Sequence, residues 1–149
     1  MIQILKHFLY AKWRWKTLRD QQALESYQNQ RIAEILAFAS KHSSFYNQHW
    51  KQANLHDWQH LPLTSKTLMM QYFDTFNTVG IQKETALNIA LQAEQHKTFD
   101  SALKGYTIGL SSGTSGQRGL FVLSHIEQDM WTVVVLARVL HSLKPQRVA

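Results

Sequence analysis

The chain has 149 residues, 44% hydrophobic and 17% charged, a balance that supports a packed domain and argues against intrinsic disorder. It has no cysteine, which excludes a disulfide framework and any thiolate metal site and fits the expected location, a reducing cytoplasm. The formal net charge is +6, and residues 1–20 hold +4 of it, the five cations Lys6, Lys12, Arg14, Lys16 and Arg19 against the one acid Asp20.

The opening run from Met1 to Tyr10 is no signal peptide, because Lys6 and His7 interrupt it and no small-residue cleavage site follows. No apolar run approaches the ~20 residues of a membrane span. Ile2, Leu5, Phe8 and Leu9 fall at helical spacing and predict an amphipathic helix. Its second half, Tyr10-Ala11-Lys12-Trp13-Arg14-Trp15-Lys16, reads either as a patch for a membrane surface or nucleic acid or as tryptophans packed on the next helix beside solvated lysines. The second reading is the expectation.

A helix is predicted over Gln22–Lys41, with Leu24, Tyr27, Ile32, Ile35, Leu36 and Ala39 forming one buried face. Ser43-Ser44-Phe45-Tyr46 breaks it and starts a short helix through Trp50 to Ala53. In Leu61-Pro62-Leu63-Thr64-Ser65-Lys66, Thr64 or Ser65 is a suitable N-cap for a helix from Lys66 to Phe73. Lys66 is expected to be a solvated first-turn lysine rather than a nucleotide contact. Phe73 to Ile81 reads as an aromatic loop. Lys83 to Gln95 returns to helical spacing, with Ala86, Leu87, Ala90 and Leu91 on one side, and a polar link covers Thr98 to Gly105.

Eight histidines raise the question of a metal. His56 and His60 stand four apart around Asp57, as in a metalloprotease helix, but the acid is not Glu and Leu61-Pro62 follows at once, so incidental surface histidines are expected. His125 is expected to be a simple first-turn residue.

The chemically pointed stretch is Thr107 to Ile126. Thr107-Ile108-Gly109-Leu110 and Leu120-Phe121-Val122-Leu123 are β-type runs, and between them lies Ser111-Ser112-Gly113-Thr114-Ser115-Gly116-Gln117-Arg118-Gly119. Glycines permit positive φ and close backbone approach to a ligand. Successive N–H groups in such a loop form an anion-binding concavity, to which four hydroxyls and one guanidinium add donors. Ser124-His125-Ile126-Glu127 then has the form of a capping box and opens a last helix, Ile126 to about Leu143, which Lys144-Pro145 ends.

The loop is not a Walker A motif, for no Lys-Ser or Lys-Thr pair follows a glycine. It is not a dinucleotide fingerprint either, since a strand rather than a helix comes next. Gly109-Leu110-Ser111-Ser112-Gly113 matches GxSxG, yet a nucleophile elbow requires a helix straight after the serine. The loop closely resembles the phosphate-binding signature of adenylate-forming (AMP-binding) enzymes, [ST]-[SG]-G-[ST]-[ST]-G-x-x-[KR], which Ser111 to Gly116 match without a gap. More narrowly, SSGTSGQRGLFVLS resembles the phenylacetate–coenzyme A ligase branch and its relatives of the deazaflavin-coenzyme adenylyl synthetases. RIAEILAFASKHSSFYNQHWKQANL, the LPLTSK turn and FDTFNTVGI resemble the amino-terminal region of the same branch, so the likeness covers nearly the whole chain.

The resemblance implies an α/β fold, mainly α in this chain. An N-terminal helical region, residues 1–105, would precede the β-loop-β-α start of the large nucleotide-binding domain at 106–149. It implies binding of ATP with Mg2+, an acid or other acceptor attacking the α-phosphorus, and coenzyme A as a further co-substrate in part of the branch. Ser111, Ser112, Gly113, Thr114, Ser115, Gly116 and Arg118 would hold the β- and γ-phosphates, with Ser112, Thr114 and Ser115 as hydroxyl donors and Arg118 as the cation. Gly119 stands where the signature usually has lysine, which is why the charge is assigned to Arg118. The family's magnesium-binding Glu, ribose-binding Asp and mobile Lys lie downstream of this loop. The chain is therefore expected to be an N-terminal fragment that does not complete adenylation alone. The competing class is a non-catalytic basic, tryptophan-rich helical module that binds a membrane surface or nucleic acid. The main reading expects no nucleic acid and no transmembrane segment, and it leaves room for peripheral membrane contact.

Overall fold

Residues 2–98, 101–113 and 118–139 are described by a computed structural model, and they are mainly helical with one small antiparallel sheet. The helices are α1 (Ile2–Thr17), α2 (Gln21–His42), α3 (Ser44–His49), α4 (Lys66–Gln71), α5 (Phe73–Phe76), α6 (Lys83–Gln95) and α7 (His125–Val139). The strands are β1 (Ala102–Leu103), β2 (Tyr106–Leu110) and β3 (Leu120–Ser124). Packing groups the chain into two units: Ser26–Val122, and Met1–Glu25 with the described residues from Leu123 onward. The boundary expected at residue 105 falls inside the first of these. Among the described residues, no helix is long and apolar enough to cross a membrane.

In the unit Ser26–Val122 the core consists of Phe73, Ile81, Ala86, Ala90, Ile108 and Leu120. Ile81 is fully buried and Ile108 is 2% exposed. α6 meets the strands through small residues, with Ala86, Ala90 and Ala93 all buried, while Leu91, expected on the same side, is 42% exposed. Alanine lets the helix backbone approach the sheet closely and costs no side-chain entropy.

The stretch read as an aromatic loop contains α5 and a turn organised by one side chain. Asn77 Nδ2 donates to the carbonyl oxygens of Phe73 (2.7 Å) and Ile81 (2.8 Å). Its Oδ1 accepts from the N–H groups of Val79 (3.2 Å) and Ile81 (3.0 Å). Gly80, at φ +65°, allows the chain to turn back over this amide. Asp74 Oδ1 then accepts the Lys83 N–H at 2.6 Å, so it supplies the first turn of α6 with a partner that its own N-cap residue, Gln82, does not. Upstream, Ser43 is 1% exposed; its Oγ accepts from Tyr46 N–H and donates to Thr75 C=O, capping α3 and tying it to α5.

The sheet has order β1-β2-β3. β1 falls in the stretch read as a polar link and pairs antiparallel with β2, Ala102 opposite Thr107 and Leu103 opposite Tyr106. The two are joined by Lys104 and Gly105, both at positive φ (51° and 81°), the arrangement of a two-residue hairpin turn matched to strand twist. The usual signal for that turn is Asn-Gly or Asp-Gly, and Lys-Gly does not announce it. The Phe121 ring of β3 lies over Gly109 of β2, where a Cβ would stand 2.0 Å from it.

In the other unit, α1 packs on α7. The buried residues are Phe8, Val133 and Ala137, with Ala11 against them, whereas Leu5 and Leu9 are more than half exposed. Trp13 and Trp15, expected to be packed, are 58% and 53% exposed, and Trp13 stacks on Tyr10 within its own helix. α2, most of which belongs to the unit Ser26–Val122, runs nearly as predicted but buries none of its residues, and Ile35 is 59% exposed. The capping box is present in full: Glu127 N–H donates to Ser124 Oγ, and Glu127 Oε2 accepts from Ser124 N–H and from Ser124 Oγ. The expected end of α7, with Lys144 and Pro145, lies outside the described residues.

Two stability tests follow from these hydrogen bonds. Asn77→Ala leaves the Ile81 carbonyl and the Val79 and Ile81 N–H groups without this partner beside the core, while the Phe73 carbonyl keeps the backbone N–H of residue 77, and should cost roughly 2–3 kcal/mol, with Asn77→Asp intermediate because it keeps the acceptor. A urea midpoint unchanged in Asn77→Ala would refute that role. Ser124→Ala should cost about 1 kcal/mol and speed amide exchange at Ile126 and Glu127; unaltered exchange there would show that the cap is not used.

Candidate functional site

β2 and β3 carry the chain into and out of the loop, and Ile108 and Leu120 root both strands in the core. The neck of the loop closes on Ser111. Its N–H donates to the Gly119 carbonyl at 2.9 Å, and its Oγ accepts the Gly119 N–H at 2.8 Å. Arg118 Nε donates to the Ser111 carbonyl at 3.2 Å. Lys66 Nζ, from the first residue of α4, donates to Ser111 Oγ at 3.1 Å.

Of the residues expected to hold phosphate, Ser111, Ser112, Gly113 and Arg118 are described. Thr114, Ser115 and Gly116 lie outside the described residues. Ser111, Gly113 and Arg118 come together, while Ser112 is exposed. Gly113 sits at φ +77°, the left-handed region that favours glycine, and a Cβ there would also stand 2.9 Å from Arg118 Cγ.

Arg118 is held from the far end of α6. Its two terminal nitrogens donate to the two oxygens of Glu94, Nη1 to Oε2 at 2.6 Å and Nη2 to Oε1 at 2.9 Å, a bidentate pair. The hydrogen bond from Arg118 holds the Glu94 carboxyl below the usual carboxylate range, and the same bond raises the Arg118 pKa. The pair lies at the surface, with side-chain exposures of 37% and 56%, so its role is to orient the guanidinium rather than to supply much stability.

Lys66 was expected to be solvated. It is instead half-buried, with its ammonium on Ser111 and its Cε 2.9 Å from where a Cβ on Gly119 would stand. The local signal was present, since Ser65 caps α4 by accepting the Leu68 N–H and so fixes where Lys66 leaves the helix. Nothing in the spacing joined it to a loop 45 residues later. Glu94 carried no signal at all.

Elsewhere, His56 and His60 do not share a continuous helix. A short 3-10 turn covers Trp58–His60, and His60 Nδ1 pairs with Asp57 Oδ1 at 2.7 Å, which raises the His60 pKa. Among the described residues, no three His, Asp or Glu gather as metal ligands do. His125 is an exposed first-turn residue of α7.

The Glu94–Arg118 pair makes a pH-dependent prediction. Because folding lowers the Glu94 pKa, the pair's contribution to stability is present above the ordinary carboxylate range and is lost as pH falls through the lowered value. A carboxyl NMR titration should show Glu94 titrating below the ordinary glutamate range, and Arg118→Ala should return it to that range. Identical titration with and without Arg118 would exclude the pair in solution.

No protein-family model, no curated protein and no solved structure matches this chain.

Proposed function

We propose that this chain carries the phosphate-holding loop of an ATP-dependent adenylate-forming ligase. The observation that carries the reading is the neck of the 111–119 loop. Two strands rooted in one core present it, a left-handed Gly113 follows its first serines, and two cationic side chains meet at Ser111. Hydroxyls, backbone N–H groups and cations converging on one loop suit the oxyanions of a polyphosphate. The reading is also supported by the unbroken match of Ser111 to Gly116 to the phosphate-binding signature.

In the proposed reaction a carboxylate or other acceptor oxygen attacks the α-phosphorus of ATP, the bond from the α-phosphorus to the bridging oxygen breaks, and pyrophosphate leaves with the electron pair. The loop holds the β- and γ-phosphates in line with that displacement and offsets the charge that builds on the leaving group, an electrostatic contribution of the kind that often dominates catalysis. Mg2+ would accompany the nucleotide, and the adenylate could then pass to coenzyme A.

A second reading is favoured by one observation. On α1, Trp13 and Trp15 are more than half exposed beside Lys12 and Lys16, as an interfacial helix on anionic lipid would have them. Calorimetric titration with ATP, AMP and anionic vesicles separates the two. The ligase reading expects magnesium-dependent, saturable ATP binding, with AMP weaker by at least about tenfold for want of the outer phosphates. Equal affinity for ATP and AMP, or binding to vesicles alone that fades with salt, would replace it with the second.

A further inference from the structure

α1 has an inner and an outer side, and its tryptophans fall on different ones. Successive residues of an α-helix point about 100° apart, so positions four apart share a face and positions two apart point nearly opposite ways. Phe8 and Ala11 lie on the side that packs against α7 with Val133 and Ala137. Trp15 lies on that side too, where it lines the groove between α1 and α7. Trp13, two residues earlier, points away from it. It forms one outward row with Leu5 and Leu9, each four residues from the next and each more than half exposed.

The row has a cationic border. Lys6 stands three residues before Leu9 and Lys16 three residues after Trp13, so both are helical neighbours of the row. Both are exposed, and neither has an ion-pair partner among the described residues. α1 contains no acidic residue, and residues 1–20 hold +4 of the chain's net +6. Lysine lays its methylene stem along apolar surface and keeps its ammonium in water. Lysines bordering leucine and tryptophan therefore reach lipid headgroups while the apolar side chains enter beneath them.

Other occupants fit less well. Three half-exposed side chains offer well under the roughly 800 Å² per partner of a stable protein interface, and a second copy would bring like charge against like. Nucleic acid would use the cations and the indole but would leave the two leucines without a partner. We propose that the outer face of α1, formed by Leu5, Leu9 and Trp13 between Lys6 and Lys16, docks on the surface of an anionic lipid bilayer and lies along it without crossing. The inference goes beyond the nucleotide loop and does not rest on it. It also replaces the pair Trp13 and Trp15 by one defined face.

The test is co-sedimentation of the full chain with vesicles of phosphatidylcholine alone and of an equal mixture of phosphatidylcholine and phosphatidylserine. Circular dichroism and thermal unfolding confirm that each variant folds. The wild type should bind the mixed vesicles at least about tenfold more tightly than the neutral ones, and the difference should shrink as salt is raised. Lys6→Gln with Lys16→Gln should weaken binding to the mixed vesicles at least about tenfold, each lysine near an anionic surface being worth roughly fivefold, and leave neutral vesicles unchanged. Leu9→Ser with Trp13→Ser should also lose at least about tenfold, while Trp15→Ala should stay within about threefold. No preference for mixed vesicles, full binding by Leu9→Ser with Trp13→Ser, or an equal loss in a folded Trp15→Ala would overturn the proposal. Tighter binding to single-stranded RNA than to the mixed vesicles would give the face to nucleic acid instead. A dimer that Leu9→Ser with Trp13→Ser dissolves would give it to a second copy. Each of these outcomes is read without ATP, so failure of the nucleotide site and failure of the docking face are separate results.

Discussion

The carboxamide of Asn77 bonds only residues within four positions of itself, yet the turn that it fixes underlies the strands of the loop. It closes the end of α5, shapes the turn through Gly80 and returns the chain so that Ile81 is sealed in the core. Ile81 packs with Ile108 and Leu120, the residues that root the two strands of the loop. Four backbone groups bonded by one side chain make that turn a fixed object, because all but the Phe73 carbonyl, which also accepts the Asn77 N–H, would otherwise lose this partner close to an apolar core. The geometry of the loop neck is inherited from this turn. Two strands that share a core can present Ser111 and Gly119 to each other at hydrogen-bond distance only if the residues beneath them are seated.

α6 extends the same constraint. Asp74 holds its first N–H, and three buried alanines bring it close against the sheet. Its last turn therefore places Glu94 beside Arg118. A larger residue at Ala86 or Ala90 would hold helix and strand apart, and the bidentate pair, which needs both carboxylate oxygens in one plane with the guanidinium, would be lost before the fold was. In this sense the packing of small apolar residues sets the electrostatics of the loop.

What could be read from the sequence follows the range of each interaction. The bounds of α6, the cap at Ser65 and the capping box at Ser124 and Glu127 were legible because a few neighbouring residues determine them. The two strands around the loop were legible from their β-branched and aromatic runs, and the left-handed Gly113 from its setting. β1 was not, because two residues give no period and Lys104 holds a positive φ that its residue type disfavours. The apolar spacing of α2 is real, but spacing says only that a face exists, not that anything covers it, and Ile35 and Phe38 stay exposed. Lys66 with Ser111 and Glu94 with Arg118 are 45 and 24 residues apart, and only the fold brings them together.

The two cations at the neck do different structural work. An arginine there is useful as a brace because its planar fork can hold a carboxylate on one edge and a carbonyl on another at fixed angles, as Arg118 holds Glu94 and Ser111. Lys66 reaches the same serine from a helix outside the loop, and its flexible stem fills the space that a side chain at 119 would take. Glycine at 119 is thus part of the packing of the neck: a side chain there would have to displace the lysine, and with it one of the two donors to Ser111 Oγ.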